Sequence, residues 1–241
     1  GARNDLAHQH LTMDGAIQHL AIIMDGNGRW AQARHLPRLA GHRAGADALD
    51  RVMHYCRAAG IAYLTVYAFS TENWKRSPEE VAGLMKLLST FISGKRAQLV
   101  REGVRFRAIG RRKDLPDALQ KQIADLEEAT KAGRFTLLVA LSYGGRAEIV
   151  DAANAALAAG EKELTEETFA RYLYAPDVPD PDLIIRTSGE CRTSNFLLWE
   201  SAYSEYWFTP VLWPDFGKEE FEQALAAFAS RERRMGGRKV T

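Results

Sequence analysis

Cysteine is nearly absent: Cys56 and Cys191 lie far apart with no C-x-x-C spacing, so neither a zinc site nor a redox pair is indicated. An excess of either charge is also absent. Against 32 Lys and Arg stand 31 Asp and Glu, which excludes a polybasic arm or acidic tail as the main device and leaves no electrostatic case for nucleic acid. No run reaches the ~18 apolar residues of a membrane span, and no charged segment leads into an apolar one at the start, so a cytoplasmic location is expected. There is no G-x-x-x-x-G-K-[ST], no helix-opening G-x-G-x-x-G and no H-E-x-x-H, which argues against Walker-type kinases, dinucleotide oxidoreductases and zinc proteases. Lysine is scarce within the cations, 9 against 23 Arg, and guanidinium is the planar fork that fits phosphate oxygens two at a time.

The remaining composition, 46% hydrophobic and 26% charged over 241 residues, suits one soluble α/β domain. Residues 1–18 are polar and aperiodic and read as a mobile arm, with order from His19 and one domain over 19–241. Strand-length apolar runs at 19–24, 62–69, 104–110, 135–141 and 182–187 alternate with helix-length segments. This predicts a mostly parallel central sheet flanked by helices, with ligands beyond the carboxyl ends of the strands. Gly60, Gly103 and Gly133 read as helix-to-strand joints. A helix opening at Gly41 carries Leu49, Val52, Met53 and Cys56 on one face. Another opens at Ser77-Pro78-Glu79-Glu80, an N-cap with proline at the first helical position and a capping-box Glu. Its apolar positions, Val81, Leu84, Met85, Leu87, Leu88, Phe91 and Ile92, wrap more than half the helix. Deep burial, a dimer interface and the wall of an apolar channel all fit so wide a face.

Chemistry concentrates at the strand ends. After the first strand come Asp25-Gly26-Asn27-Gly28-Arg29-Trp30, then Arg34, Arg38 and Gly41-His42-Arg43. Glycines flanking Asn27 let backbone N–H groups converge on an anion, Arg29, Arg38 and His42 add charge, and the Asp25 carboxylate suits Mg2+. A glycine turn stabilised by Asp is the competing explanation. After the second strand, Ser70-Thr71-Glu72-Asn73-Trp74-Lys75-Arg76 offers hydrogen bonds and a flat apolar surface, suited to a ligand polar at one end and greasy along its length. A capping role alone explains Glu80. The fifth strand runs into Arg186-Thr187-Ser188-Gly189-Glu190-Cys191-Arg192-Thr193-Ser194-Asn195, whose arginines form a second anion site. Glu205 stands among Trp199, Tyr203, Tyr206, Trp207 and Phe208, where a lone charge is costly unless paired or metal-bound.

HLAIIMDGNGRWA, GHRAGA, YAFSTENWKR, YGGR, RTSGECRTSNFLLWE, YSEYWFT and RERRMGG, in that order, resemble the cis-prenyltransferase family from His19 to Gly237. The Asp-Asp pair of the trans enzymes is absent, since no two Asp are adjacent. The resemblance implies a homodimer, Mg2+ dependence, farnesyl diphosphate as primer and isopentenyl diphosphate as repeated extender. The expected product is a long cis-polyprenyl diphosphate of the undecaprenyl kind, a lipid-carrier precursor for cell-wall polysaccharide that partitions to the membrane, with the enzyme cytoplasmic or peripheral at its inner face. It further implies that Asp25 binds metal and acts in catalysis, that Asn73 assists proton removal, and that Gly26, Asn27, Gly28, Arg29, Arg38 and His42 take the allylic diphosphate. Trp30 and Trp74 would flank the substrates, and Ser70, Thr71, Glu72 and Arg76 would line the reacting end. Arg186, Arg192, Thr193 and Ser194 would bind the extender's diphosphate, and Glu205 would help with metal. The arginines around Met235 would lie at the dimer interface. An amide is a poor base, so Asn73 suits positioning better than proton transfer. The chain departs from the family at Ser188 (usually Gly), at Leu138 and Ser142 (where Asn is common) and at Glu200 (usually Gln). On this resemblance the apolar face from Leu84 through Leu88 to Ile92 and the strand residues Leu137, Val139 and Leu141, which strand alternation puts on one face of the sheet, are the expected walls of a product channel, above all Leu137. Two rivals are a non-catalytic binding subunit, which would lack the Asp25 and Arg192–Asn195 motifs, and a metal-dependent phosphate-ester hydrolase, which the long apolar stretches disfavour.

Overall fold

Six parallel strands form one sheet in the order β3-β4-β2-β1-β5-β6, in a computed structural model that describes residues 16–231. Most of the expected arm and the cluster Arg233, Arg234 and Arg238 lie outside the described residues. The strands are β1 (His19–Ile23), β2 (Tyr63–Ser70), β3 (Val104–Ile109), β4 (Phe135–Tyr143), β5 (Leu183–Arg186) and β6 (Glu205–Phe208). Every residue of β1 and β4 is buried, the continuous apolar pattern of parallel strands covered on both faces. Sequence analysis missed β6, a four-residue edge strand that is half-buried and carries no clear alternation. Packing also begins earlier than expected, because Ile17 is buried and Gln18 N–H donates to Asp182.

The helices are α1 (Asn27–Ala33), α2 (Arg38–Ala58), α3 (Pro78–Glu102), α4 (Asp117–Thr130), α5 (Gly145–Ala158), α6 (Glu166–Ala170) and α7 (Lys218–Ala229). The larger core joins α2, α3, α4 and α7 to one face of the sheet through Val52, Leu84, Ile123 and Phe221. On the other face Leu138, Ala140 and Ile184 pack against Tyr174 and Phe196. Helix α3 starts as its sequence demands, with Pro78 in the first turn and Ser77 Oγ accepting the Glu80 N–H. The reciprocal half of the expected capping box is missing, since the Glu80 carboxylate turns instead to Arg76 and Arg38.

The chain leaves β1 towards β2 on one side and leaves β5 towards β6 on the other, so the topological switch point lies between β1 and β5. Helix α2 opens at Arg38, not at Gly41, and its glycines serve a different purpose from helix initiation. A Cβ on Gly41 would sit 2.0 Å from the Asn27 carbonyl oxygen, and one on Gly45 would sit 2.6 Å from Asn27 Oδ1. The helix thus lets the loop after β1 lie directly on its backbone. Gly133 likewise provides close approach, to Arg105 N at 2.5 Å, whereas Gly60 and Gly103 do adopt the left-handed backbone of a helix end.

Gly41→Ala is expected to destabilise the fold by roughly 1–3 kcal/mol, because the obstructing atom is backbone and cannot swing aside. Gly94→Ala, on the open surface of α3, should be neutral or slightly stabilising. Thermal denaturation of the two variants checks this, and equal melting temperatures would contradict it.

Candidate active site

Asp25 follows β1 directly at the switch point, and its peptide is clamped from two sides. Its carbonyl accepts Thr187 Oγ1–H at 2.6 Å and Trp213 N–H at 3.0 Å, while its own N–H donates to Thr187 Oγ1 at 2.9 Å. Gly26, at φ 117, then turns the chain into α1, so the first N–H groups of that helix face the same space as the Asp25 carboxylate. A cavity of about 660 Å3 opens there. Asp25, Gly26, Asn27, Gly28, Arg29, Arg38, His42, Ser70, Glu72, Asn73, Arg76, Arg186 and Ser194 all line it, drawn together from the ends of three strands.

Arg186, 5% exposed at the end of β5, is the hub. One terminal nitrogen donates to Asp25 Oδ2 at 3.1 Å, and the other donates to the Arg192 carbonyl at 2.7 Å and to Ser194 Oγ at 2.6 Å. Its Nε is buried without a partner. His42 Nε2 and Asn27 Oδ1 are also buried without a hydrogen bond, the Glu80 carboxylate lying 3.9 Å from His42 Nε2. Burial, with help from Arg76, holds the His42 pKa below its ordinary value, so the ring is neutral near pH 7. Asn27 Nδ2 lies 3.4 Å from its Nδ1, the geometry of a donor to that nitrogen, which leaves Nε2 as a buried donor. Unmatched donors beside a cavity are what an anionic ligand satisfies.

The turn after β2 is a 3-10 helix (Thr71–Lys75) held by reciprocal caps: Asn73 N–H donates to Ser70 Oγ and Ser70 N–H to Asn73 Oδ1. Its two flanks present Glu72 and Arg76 to the cavity. Burial pushes the Glu72 pKa up, but hydrogen bonds from its own backbone N–H, Asn195 and Thr71 outweigh it and hold the carboxyl below its usual range. Glu80, explained from sequence as a cap alone, faces the cavity and pairs with Arg76 at 2.8 Å and Arg38 at 3.4 Å.

Several expected site residues lie elsewhere. The Arg192 guanidinium is exposed and paired with Glu190 at 2.6 Å; only its carbonyl reaches the site, through Arg186. Thr193 serves the loop, its carbonyl accepting Phe196 N–H, and the Thr71 hydroxyl donates to Glu72. Trp30 donates to Asp215 and stacks with Arg34, and Trp74 turns inward to Phe69. None of these five lines the cavity. Glu205 pairs with Arg231 at the start of β6, in register with Leu183, three residues along the strand or about 10 Å from the level of Arg186. Within one chain it therefore does not stand beside Asp25. Among the described residues no group of three or more His, Cys, Asp or Glu could hold a metal. Asp25 fits Mg2+ only together with ligand oxygens, the mode this hard ion favours.

Sequence analysis missed Tyr67 and Thr187. Tyr67 lines the cavity, stacks on Phe196 at 4.6 Å and reaches the Ser194 carbonyl, but a bulge beside it in β2 hides it within an apolar run. The departure at Ser188 has a visible consequence: its φ of 72 is one that glycine adopts freely, and its carbonyl accepts Arg29 Nη1–H.

A second, apolar cavity of about 100 Å3 adjoins the first and shares Met24, Asn27, His42, Ala68 and Leu84 with it. It lies between the sheet and helices α2 and α3, walled by Leu49, Leu87, Leu88, Phe91, Ile92, Val139 and Leu141. The broad apolar face of α3 is thus cavity wall, which is why Leu87, Leu88 and Phe91 stay half-buried. Leu137 shares a face with Val139 and Leu141 but is paired deeper, with Leu64 and Phe106, and does not line the cavity.

Residues 23–236 match the Prenyltransf family model, described as "Putative undecaprenyl diphosphate synthase". The chain is 55% identical to an isoprenyl transferase of Thermotoga maritima, over 91% of this chain and 97% of that protein. It is 52% identical to one of Fusobacterium nucleatum, over 92% and 96%. The fold matches lavandulyl diphosphate synthase of Lavandula x intermedia, solved with dimethylallyl diphosphate, at a TM-score of 0.88 and 35% identity over 92% of this chain and 99% of that one. It also matches a probable undecaprenyl diphosphate synthase of Campylobacter jejuni at 0.80 and 34% identity, over 91% and 98%.

Behind the site, Glu200 stands beside Glu148. Glu148 is buried and accepts Tyr143 O–H at 2.6 Å and Tyr174 N–H at 3.1 Å. Burial, then the Glu148 charge, push the Glu200 pKa from 4.5 to about 9. Below pH 4.5 the group is neutral folded or unfolded. Between pH 4.5 and 9 only the unfolded chain ionises, so stability falls as pH rises through that window. Glu200→Gln, whose amide needs no proton, should flatten this dependence and raise the melting temperature more at pH 8 than at pH 5. Parallel stability profiles for the two proteins would contradict it.

Proposed function

Because the chain belongs to the undecaprenyl diphosphate synthase family of prenyltransferases, we propose that it condenses isopentenyl diphosphate repeatedly onto farnesyl diphosphate with cis geometry. The product is a polyprenyl diphosphate of the undecaprenyl kind, which partitions to the membrane and is the precursor of a lipid carrier for cell-wall polysaccharide. One observation carries this reading above the others: an arginine-rich mouth adjoining an apolar cavity across shared walls, an arrangement suited to a ligand with a diphosphate head and a hydrocarbon tail.

In this scheme the allylic diphosphate rests on the N–H groups at the start of α1 and against Arg38 and His42, with its chain pointing between α2 and α3. The extender's diphosphate rests on Arg186 and Ser194. Arg76 and Glu80 fix the side between them. Asp25 would hold Mg2+ with diphosphate oxygens, and the ion would offset negative charge on the departing diphosphate. The fixed guanidinium and amide donors stabilise that same charge without reorganising. The allylic C–O bond breaks with its electron pair going to the departing diphosphate, the extender's double bond attacks the allylic carbon, and the extender's proton passes to a diphosphate oxygen, with Asn73 orienting the extender. The Asn73 side-chain Oδ1 already accepts Ser70 N–H, which favours this orienting role over that of base.

A homodimer is part of the proposal. Its support is the open edge of β6, beside which Tyr203 and Phe208 are 60% and 38% exposed. No described helix is long and apolar enough to cross a membrane; the proposal places the enzyme at the cytoplasmic face because its apolar product partitions to the membrane.

Chromatographic sizing of products from labelled isopentenyl diphosphate and farnesyl diphosphate tests the proposal: a ladder of long polyprenyl diphosphates supports it, and no incorporation refutes it. Asp25→Ala should remain folded, with a lower melting temperature because the buried Arg186 charge loses its carboxylate, and should lose roughly a hundredfold or more in turnover; wild-type turnover at saturating Mg2+ would remove Asp25 from the chemistry. Leu88→Trp should shift the ladder to shorter chains at nearly unchanged stability. Leu137→Trp, sealed between strands, should instead destabilise by roughly 1–3 kcal/mol without shortening the products. The opposite pattern would place the channel elsewhere.

A further inference from the structure

Trp74 is the one residue of the 70–76 turn whose ring faces away from the cavity into a polar relay. The ring lies edge-on to Phe69 at 4.8 Å, and Nε1–H donates to Ser142 Oγ at 2.9 Å. An indole only donates and a carboxylate only accepts, so the Ser142 hydroxyl takes the Trp74 hydrogen bond and donates its own to Asp114 Oδ2 at 3.3 Å. The relay therefore runs one way, from β2's turn through the end of β4 to the turn after β3.

Ser142 is fully buried at φ 47, a left-handed backbone that serine rarely adopts. Its surroundings hold it there. Its carbonyl accepts Arg111 N–H at 3.0 Å, and the same turn, Arg112–Asp114, delivers the Asp114 carboxylate. Gly110 makes the wrap possible, because a Cβ there would meet the Leu141 carbonyl oxygen at 2.0 Å. Strain maintained by several independent contacts is characteristic of residues with a functional task. Serine holds this backbone at a conformational cost that glycine or asparagine would not bear to the same degree.

We propose that Ser142 and Asp114 are positioning residues for the condensation reaction: by anchoring Trp74 from behind, they set where Asn73 and Arg76 stand against the substrates. This rests on the reading of the turn as part of the diphosphate site. A merely structural relay would satisfy a buried indole N–H and affect stability alone.

Ser142→Gly is the sharpest test, since glycine relieves the strained backbone while deleting the hydroxyl. It should lower kcat about fivefold to tenfold, the scale of one neutral hydrogen bond, with KM and melting temperature little changed. Trp74→Phe should lower kcat similarly, and the double variant should be no slower than the slower single variant. Ser142→Asn should restore kcat by returning an acceptor. The indole N–H resonance of Trp74, assigned by its loss in Trp74→Phe, should exchange with solvent faster in both Ser142→Gly and Asp114→Ala, as should the backbone amides of 71–76. Wild-type kcat in Ser142→Gly, multiplicative losses in the double variant, or unchanged exchange would each overturn the proposal. If no polyprenyl product forms at all, the assigned reaction fails, whereas the exchange data still decide whether Ser142 and Asp114 hold the turn.

Discussion

The contact between Arg186 and Asp25 joins the two halves of the molecule where ligands enter. The strands that carry them are neighbours in the sheet but far apart in sequence, and their connections depart in opposite directions. A crevice at such a point is a property of the topology. What this chain adds is a buried guanidinium that reaches the carboxylate on one side and the 192–194 loop on the other. Breaking a largely buried pair from one side leaves an uncompensated charge, so both loops are constrained together. In the proposed complex, displacement of the pair by a diphosphate and its Mg2+ would keep every charge matched.

Around this pair the backbone is crowded and locally strained. Gly41 and Gly45 let the Asp25–Asn27 loop lie on α2, and Ser188, Ser194, Asn195 and Leu197 all have positive φ. The second loop is pinned to the start of α5, where Gly145 N–H donates to the Asn195 carbonyl and Arg146 N–H to Asn195 Oδ1. Rigid loops of this kind present fixed dipoles and charges, the preorganisation that electrostatic catalysis requires. The apolar cavity is bounded differently, by half-buried side chains on α3, which is where the proposed reaction would place the growing chain.

Much of this was legible in the sequence because β-strand and helix periods differ and glycine marks the joints. The glycine- and arginine-rich loops fall beyond the strand ends because parallel sheets place such loops there. Depth and direction were harder to read. Leu137, Val139 and Leu141 were rightly placed on one face, yet the cavity stops above Leu137, a matter of register with β2 and β3. Arg186 and Arg192 looked equivalent six residues apart, but one ends a buried strand and the other stands on an exposed turn. Glu80 satisfied a capping pattern locally while its carboxylate answered to arginines distant in sequence. In each case the local signal was sound and a tertiary contact decided the outcome.

Calorimetric titration with inorganic diphosphate, with and without Mg2+, measures the central claim most directly, because it isolates the polar mouth from the hydrocarbon channel. In the wild-type protein the anion should bind, and Mg2+ should tighten it. Arg186→Ala should weaken that binding at least tenfold, the loss of a charge-assisted contact worth ~1.5–3 kcal/mol, and Asp25→Asn should abolish the Mg2+ effect while leaving the metal-free affinity equal or higher. Diphosphate binding that is indifferent to both substitutions would contradict the account.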